Sequence, residues 1–290
     1  MTVAHDDMTI GSAYDSLHDA SISFEDPWDM RSSGISFDDM PLENAERALR
    51  AGIAAKRIPR RMECVHDMLC QLGLVRGGFL TNAAALLFCR SAAPLIVCRL
   101  YDGASHGILL DEQACFGPLA SAHRAACDFS RRMRPFVFAA NGDRGDMAAI
   151  CSEVVLNALA HRDWSRFAPV SLVAYPEYVA VSNPGTIANE ALEDGAPSLP
   201  DRYVSLALDG SFRVRNALLA QALYRFDVFE GQGAGLAWAR AECEAQGYAL
   251  SCRNAEGAAV VSIAPYRQRA SAAYRACEQG RDPRIRSYRA

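Results

Sequence analysis

The sequence predicts an α+β fold in which a mixed or antiparallel sheet is covered by helices, and three observations predict it. Residues 147 to 264 read as helix, strand pair, long irregular segment, helix and strand pair, an order that places two hairpins among interleaved helices. The hairpin turns are supplied by Pro176-Glu177 and by residues 254 to 257, which end on Gly257. The chain has 290 residues, 50% of them apolar, enough for one large or two ordinary domains with a buried core.

The elements follow in order. Residues 1 to 40 are polar and acidic without a sustained period, which predicts an extended or partly disordered arm. Residues 41 to 140 predict a smaller helical and α/β region. Leu42, Ala45, Ala48 and Leu49 recur at helical spacing, and Met62 to Leu72 does so again before Gly73. Leu80 to Phe88 follows Gly77-Gly78, with Thr81 and Asn82 as candidate helix caps. Pro94 ends that helix, and Leu95 to Tyr101 reads as a buried strand. Residues 118 to 136 predict a helix with Arg124, Arg131, Arg132 and Arg134 on its exposed side. A Gly142-Asp143 turn then sets a boundary near 140, so the layered domain spans 141 to 264. Within it the helices are Met147 to His161 and Gly235 to Gln246. The strands are Val170 to Tyr175, Tyr178 to Ser182, Tyr248 to Arg253 and Ala258 to Ala264. Residues 265 to 290 form an Arg-rich tail.

Charge and composition exclude several classes. No run of about 18 uncharged apolar residues exists and the start of the chain is acidic, so a membrane span and a signal peptide are excluded and a cytoplasmic location is expected. The ten cysteines are dispersed without C-x-x-C spacing and read as reduced core thiols. A net charge of −4 gives no global drive toward nucleic acid, yet the acidic arm opposes the basic tail. That tail is either solvated, docked on its own chain, or a DNA contact. Lys56 is the sole lysine, which argues against a P-loop and hence a helicase. Abundant Ala and the use of Arg over Lys suggest a GC-rich bacterial genome.

Three elements could carry chemistry. On the helix from Met147, Glu153, Asn157 and His161 stand at i, i+4 and i+8 and drift only about 80° around the axis, while Cys151, Val154, Val155, Ala158 and Leu159 take the other side. Such a stripe is ordinarily a wet face. Followed by Arg162 and Asp163, it also suits a carboxylate that orients a water and an amide that holds a magnesium bridging phosphates. The second element is a strand running through Asn183 and Pro184 to the turn at Gly185. The third delivers Gly231, Gly233 and Gly235 into a helix start, where free N–H groups favour an anion; a flexible loop is its plain alternative.

In this order the three elements resemble the GHKL superfamily of histidine kinases and DNA gyrase, whose fold is the Bergerat α/β sandwich. The stretch from Glu153 to Asp163, Asn183-Pro184-Gly185, Arg215-Asn216 and the glycines from Gly231 to Gly235 look like the RecG-like, Schlafen-AlbA-associated transcriptional regulators. The upstream segment Leu80 to Phe88 looks like that family too, and the resemblance runs from about Ser36 to Ala264.

The resemblance implies ATP and Mg2+ as ligands. Glu153 would stand near the attacking water and reach Mg2+ through it, Asn157 on Mg2+, Asn183 at the adenine, and Gly231, Gly233 and Gly235 around the phosphates. His161, Arg162, Asp163, Gly185, Arg215 and Asn216 would complete the nucleotide site, with a lid between Thr186 and Glu230. Where the superfamily places an Asp at the adenine this chain has Asn183, an acceptor without charge. The family's AlbA-like and winged-helix domains are not recognisable in the chain. The expectation is an ATP-binding regulatory protein with slow Mg2+-dependent hydrolysis as its candidate activity. A histidine kinase is disfavoured, since no phosphoacceptor hairpin precedes the fold. The alternative is a degenerate module acting through a homodimer or through DNA contact of its tail.

Overall fold

Apolar residues at helical spacing from Leu42 onward close over a small sheet. The computed structural model describes residues 27–60, 64–103, 107–137, 147–186, 215–228, 235–255, 257–266 and 274–276. Helix α1 (Leu42–Ala54) buries Ala45, Leu49 and Gly52. Helix α2 (Val65–Gln71) is followed by Gly73 at φ 71°, the left-handed position that ends a helix at least cost for glycine. Helix α3 (Asn82–Phe88) starts on Thr81, whose side chain accepts from the Ala84 N–H at 3.3 Å. Strands β1 (Ser32–Ser36), β2 (Val75–Arg76) and β3 (Phe79–Thr81) form an antiparallel sheet in the order β1-β3-β2. Residues 32–36 are a paired strand within the stretch that the sequence predicts as an extended or partly disordered arm; their Ser-rich pattern carries no apolar alternation that would disclose the pairing.

The main sheet has six strands: β4 (Ile96–Tyr101), β5 (Leu109–Cys115), β6 (Val170–Ala174), β7 (Val179–Pro184), β8 (Tyr248–Ala255) and β9 (Ala258–Pro265), ordered β5-β4-β6-β7-β9-β8. β4 runs parallel to β6 and every other pair is antiparallel. Two of these strands precede residue 140, so the layered unit that the sequence predicts from 141 takes its edge from the preceding segment. β5 is not foreseen, because its adjacent Leu109 and Leu110, both exposed on this edge strand, are followed by Asp111, Glu112 and Gln113, which leaves no apolar alternation.

Strand alternation divides the core between two faces. Leu172, Val179, Val181, Leu250 and Ile263 meet a layer made of α4 (Leu119–Met133), α5 (Met147–His161) and the helix Gly235–Ala245. Val173, Tyr175, Tyr178, Ala180, Val260 and Ala264 point to the other face, where Tyr274 from the tail is fully buried among them. The Tyr274 hydroxyl lies 3.1 Å from Ser251 Oγ, so this part of the tail docks on the chain itself.

Residues 217–225 lie within the segment read from sequence as irregular, yet they form a helix, α6 (Ala217–Arg225), with Leu218, Leu219, Ala222 and Leu223 buried. The helix Gly235–Ala245 is α7. The Asp29 carboxylate accepts from the Leu219 N–H at 3.0 Å at the start of α6, and Trp28 stacks on Trp164 with centroids 6.0 Å apart. The N-terminal region thus grips the segment after α5 and the start of α6. Gly52 of α1 packs on the same helix, since a Cβ there would run into the Arg225 carbonyl and sit 2.6 Å from Ile58 Cδ1. Gly52→Ala is expected to destabilise the fold by about 1–3 kcal/mol, read as a lower urea midpoint, because backbone rather than a flexible tip must yield.

Candidate functional site

α5 is apolar on nearly every side, and its half-exposed residues include Ser152, Glu153, Asn157 and His161. Glu153, Asn157 and His161 span about 12 Å of helix at 1.5 Å per residue. Packing of α5 against α7 places Glu153 over the first residue of α7: a Cβ on Gly235 would overlap Glu153 Oε1 and lie 2.7 Å from its Cδ. The absent side chain is what lets a carboxylate approach the helix start, where unsatisfied N–H groups attract negative charge.

A second group forms at the C-terminal end of α5. The Asp163 N–H donates to the Pro184 carbonyl at 2.8 Å, joining the end of α5 to the end of β7. Asp163 faces Arg166 at 3.4 Å and Arg215 at 3.7 Å, and accepts from Ser165. Burial raises its pKa, but the Ser165 hydrogen bonds and the two guanidinium groups outweigh that and hold it below the usual carboxylate value. Gly185 stands at φ 93°, and a Cβ there would collide with the Arg215 guanidinium and sit 2.9 Å from Asp163 Cβ. Arg215 also donates to the Thr186 carbonyl at 3.1 Å, so it lies across the glycine turn. Gly257 closes the floor, its carbonyl accepting from Gly185 N and from Arg166 Nη1, each at 2.9 Å.

Asn183 is buried at the end of β7, and its Nδ2 donates to the Pro184 carbonyl at 3.2 Å. Its Oδ1 is the acceptor that an amino group of a base would require. Asn216 and Arg162 hold the frame. Asn216 Nδ2 donates to the Ala160 and Arg162 carbonyls, each at 2.9 Å, which satisfies two carbonyls at the end of α5. Arg162 is buried, stacked 4.1 Å from the Trp164 ring centroid, and donates to the Arg166 carbonyl at 2.7 Å. Gly231 and Gly233 lie outside the described residues. Arg166 was missed from sequence; its place three residues after Asp163 is the signal that could have found it.

Burial and then the Arg215 charge pull the His161 pKa down to about 4. Among the described residues no cluster of three or more His, Cys, Asp or Glu side chains could hold a metal by itself. A magnesium bound through one amide and a water-linked carboxylate, with phosphates completing its shell, does not need such a cluster.

No protein-family model matches the chain, and no curated protein matches it. Among solved structures the fold is similar to that of the DIP2311 protein from Corynebacterium diphtheriae, a structural genomics target. The TM-score is 0.62 at 17% identity, over 82% of this chain and 40% of that one. The likeness concerns the fold, and this chain spans less than half of that protein's length.

His161 makes stability depend on pH in one direction. Its folded pKa lies below the ordinary 6.5, so the unfolded chain takes up the proton first as pH falls. The contribution of neutral His161 is present above the unfolded value and is lost between there and about 4. The urea midpoint is expected to fall between pH 7 and pH 4.5, and to fall less in His161→Gln.

Proposed function

We propose that the protein binds ATP with Mg2+ along the polar stripe of α5 and acts as a regulatory protein of the RecG-like, GHKL type, with slow ATP hydrolysis as its candidate activity. The observation that carries this is the meeting of Glu153 with Gly235, two residues 82 positions apart that nucleotide chemistry needs together. The residues fit both ligands. Gly235 lets the Glu153 carboxylate stand at the start of α7, where a water it orients would face a bound phosphate, and Asn157, one turn beyond Glu153, offers an oxygen of the kind Mg2+ takes.

When bound, Mg2+ neutralises phosphate charge. Glu153 would orient a water as hydrogen-bond acceptor, Asn157 would hold the metal, and Asn183 Oδ1 would accept from the adenine amino group. Arg215 is ion-paired with Asp163, and its guanidinium is positioned to contact an anion placed over the Gly185 turn. No helix among the described residues is long and apolar enough to cross a membrane; a cytoplasmic site of action is part of the proposal.

Titration with a fluorescent ATP analogue and Mg2+ tests the proposal. Saturable binding is expected for the native chain and at least tenfold weaker binding for Asn157→Ala and Gly235→Val, a loss of about 1.4 kcal/mol or more. Absence of binding at millimolar ATP would leave the alternative, a module that keeps the fold without its nucleotide.

A further inference from the structure

Three side chains meet where α4 packs on α5, and none of them belongs to the nucleotide site proposed above. Cys127 and His123 stand one turn apart on α4, with Cys127 Sγ 3.6 Å from His123 Nε2. Ser152 of α5 completes the group, its Oγ lying 3.2 Å from Cys127 Sγ and 3.2 Å from His123 Nε2. The same imidazole nitrogen lies 3.0 Å from the Ser152 carbonyl oxygen.

A carbonyl oxygen only accepts, so His123 Nε2 carries a hydrogen. That one hydrogen is shared between the carbonyl oxygen at 3.0 Å and the sulfur at 3.6 Å, and the Ser152 hydroxyl, which accepts from the thiol, can turn its O–H to the sulfur once the thiol has lost its proton. Two donors converging on one sulfur favour its thiolate over its thiol. The charged groups facing the pair act in the same sense: Arg131 from α4 favours the thiolate, and Glu153 from α5 favours the imidazolium. Burial opposes charge on both partners and is the largest single influence, but the hydrogen bonds to each other and to Ser152 together with the neighbouring charges outweigh it, raising the His123 pKa and lowering that of Cys127. Cys252, buried without such donors, is pushed up to about 12.

We propose that Cys127 is a covalent-modification site, a thiolate held by His123 and Ser152 that adds small α,β-unsaturated carbonyl compounds. The sulfur lone pair forms a C–S bond at the β-carbon, and the C=C π pair moves onto the carbonyl as an enolate. The enolate then takes a proton from water, which balances the proton the thiol had released to solvent, so that S–H is added across the double bond. The residue is 8% exposed, which limits the acceptor to small molecules.

Acrylamide labelling of the folded full-length chain at pH 7, read residue by residue by peptide mass spectrometry, tests this. The exposed Cys64 is the internal reference. Cys127 is expected to react at least as fast as Cys64 and far faster than Cys252. His123→Gln should slow Cys127 about tenfold, the change expected for one pH unit in thiol ionisation, with Cys64 unchanged. Ser152→Ala should slow it in the same direction and serves if His123→Gln does not fold. Cys127 unlabelled while Cys64 reacts, or a folded variant that keeps the native rate, would overturn the proposal. Nucleotide is absent from the assay, so its outcome is independent of ATP binding.

Discussion

The burial of α5 is the constraint on which the rest of the structure depends. Ten of its residues are buried, including Ile150, Cys151, Val154, Val155 and Leu159, so the helix cannot shift without breaking contact with both the sheet and its neighbouring helices. A helix so enclosed must still satisfy the carbonyls at its C-terminal end. Asn216 does this from 56 residues away, donating to Ala160. The Asp163 N–H ties the same end to β7. Leaving such buried acceptors unmet costs about 1–3 kcal/mol each, so the end of α5 and the start of α6 are held as one piece. The polar stripe is what remains of the helix surface after these demands are met.

Two glycines shape the surroundings of that stripe. At Gly235 the missing side chain lets the Glu153 carboxylate reach the start of α7, and at Gly185 it lets the Arg215 guanidinium lie on the turn after β7. In both places a charged group approaches backbone that any Cβ would cover. The two approaches lie near opposite ends of the same stripe, one suited to orienting a polar group beside a helix start and the other carrying a cation across a loop. The three-stranded sheet and its helices matter to this arrangement through Trp28, Asp29 and Gly52, which hold the segment after α5 and the helix α6.

What could be read from sequence follows from how locally each element is encoded. The bounds of α5 and its Glu153, Asn157, His161 stripe were legible because 3.6-residue periodicity is a local signal. The hairpins β6–β7 and β8–β9 were legible through their turn residues and apolar runs. β1 and β5 were not, since one is Ser-rich and the other exposes its leucines at a sheet edge. The helix α6 was hidden although Asn216 stands at its N-cap position, and the Asn216 side chain makes no cap there because it is turned to the carbonyls at the end of α5. At the site, the residue types were apparent, but the pairing of Glu153 with Gly235 and of Arg215 with Gly185 depends on how α5 packs on α7 and β7. The role of Asn216 as a clasp on α5 likewise exists only in three dimensions.

The most direct measurement is a crystal structure of the protein with Mg2+ and a non-hydrolysable ATP analogue. Phosphate density between Glu153, Asn157 and the start of α7, with the base against Asn183, is the predicted result. Nucleotide bound elsewhere, or none on the stripe of α5 at saturating analogue, would contradict the account.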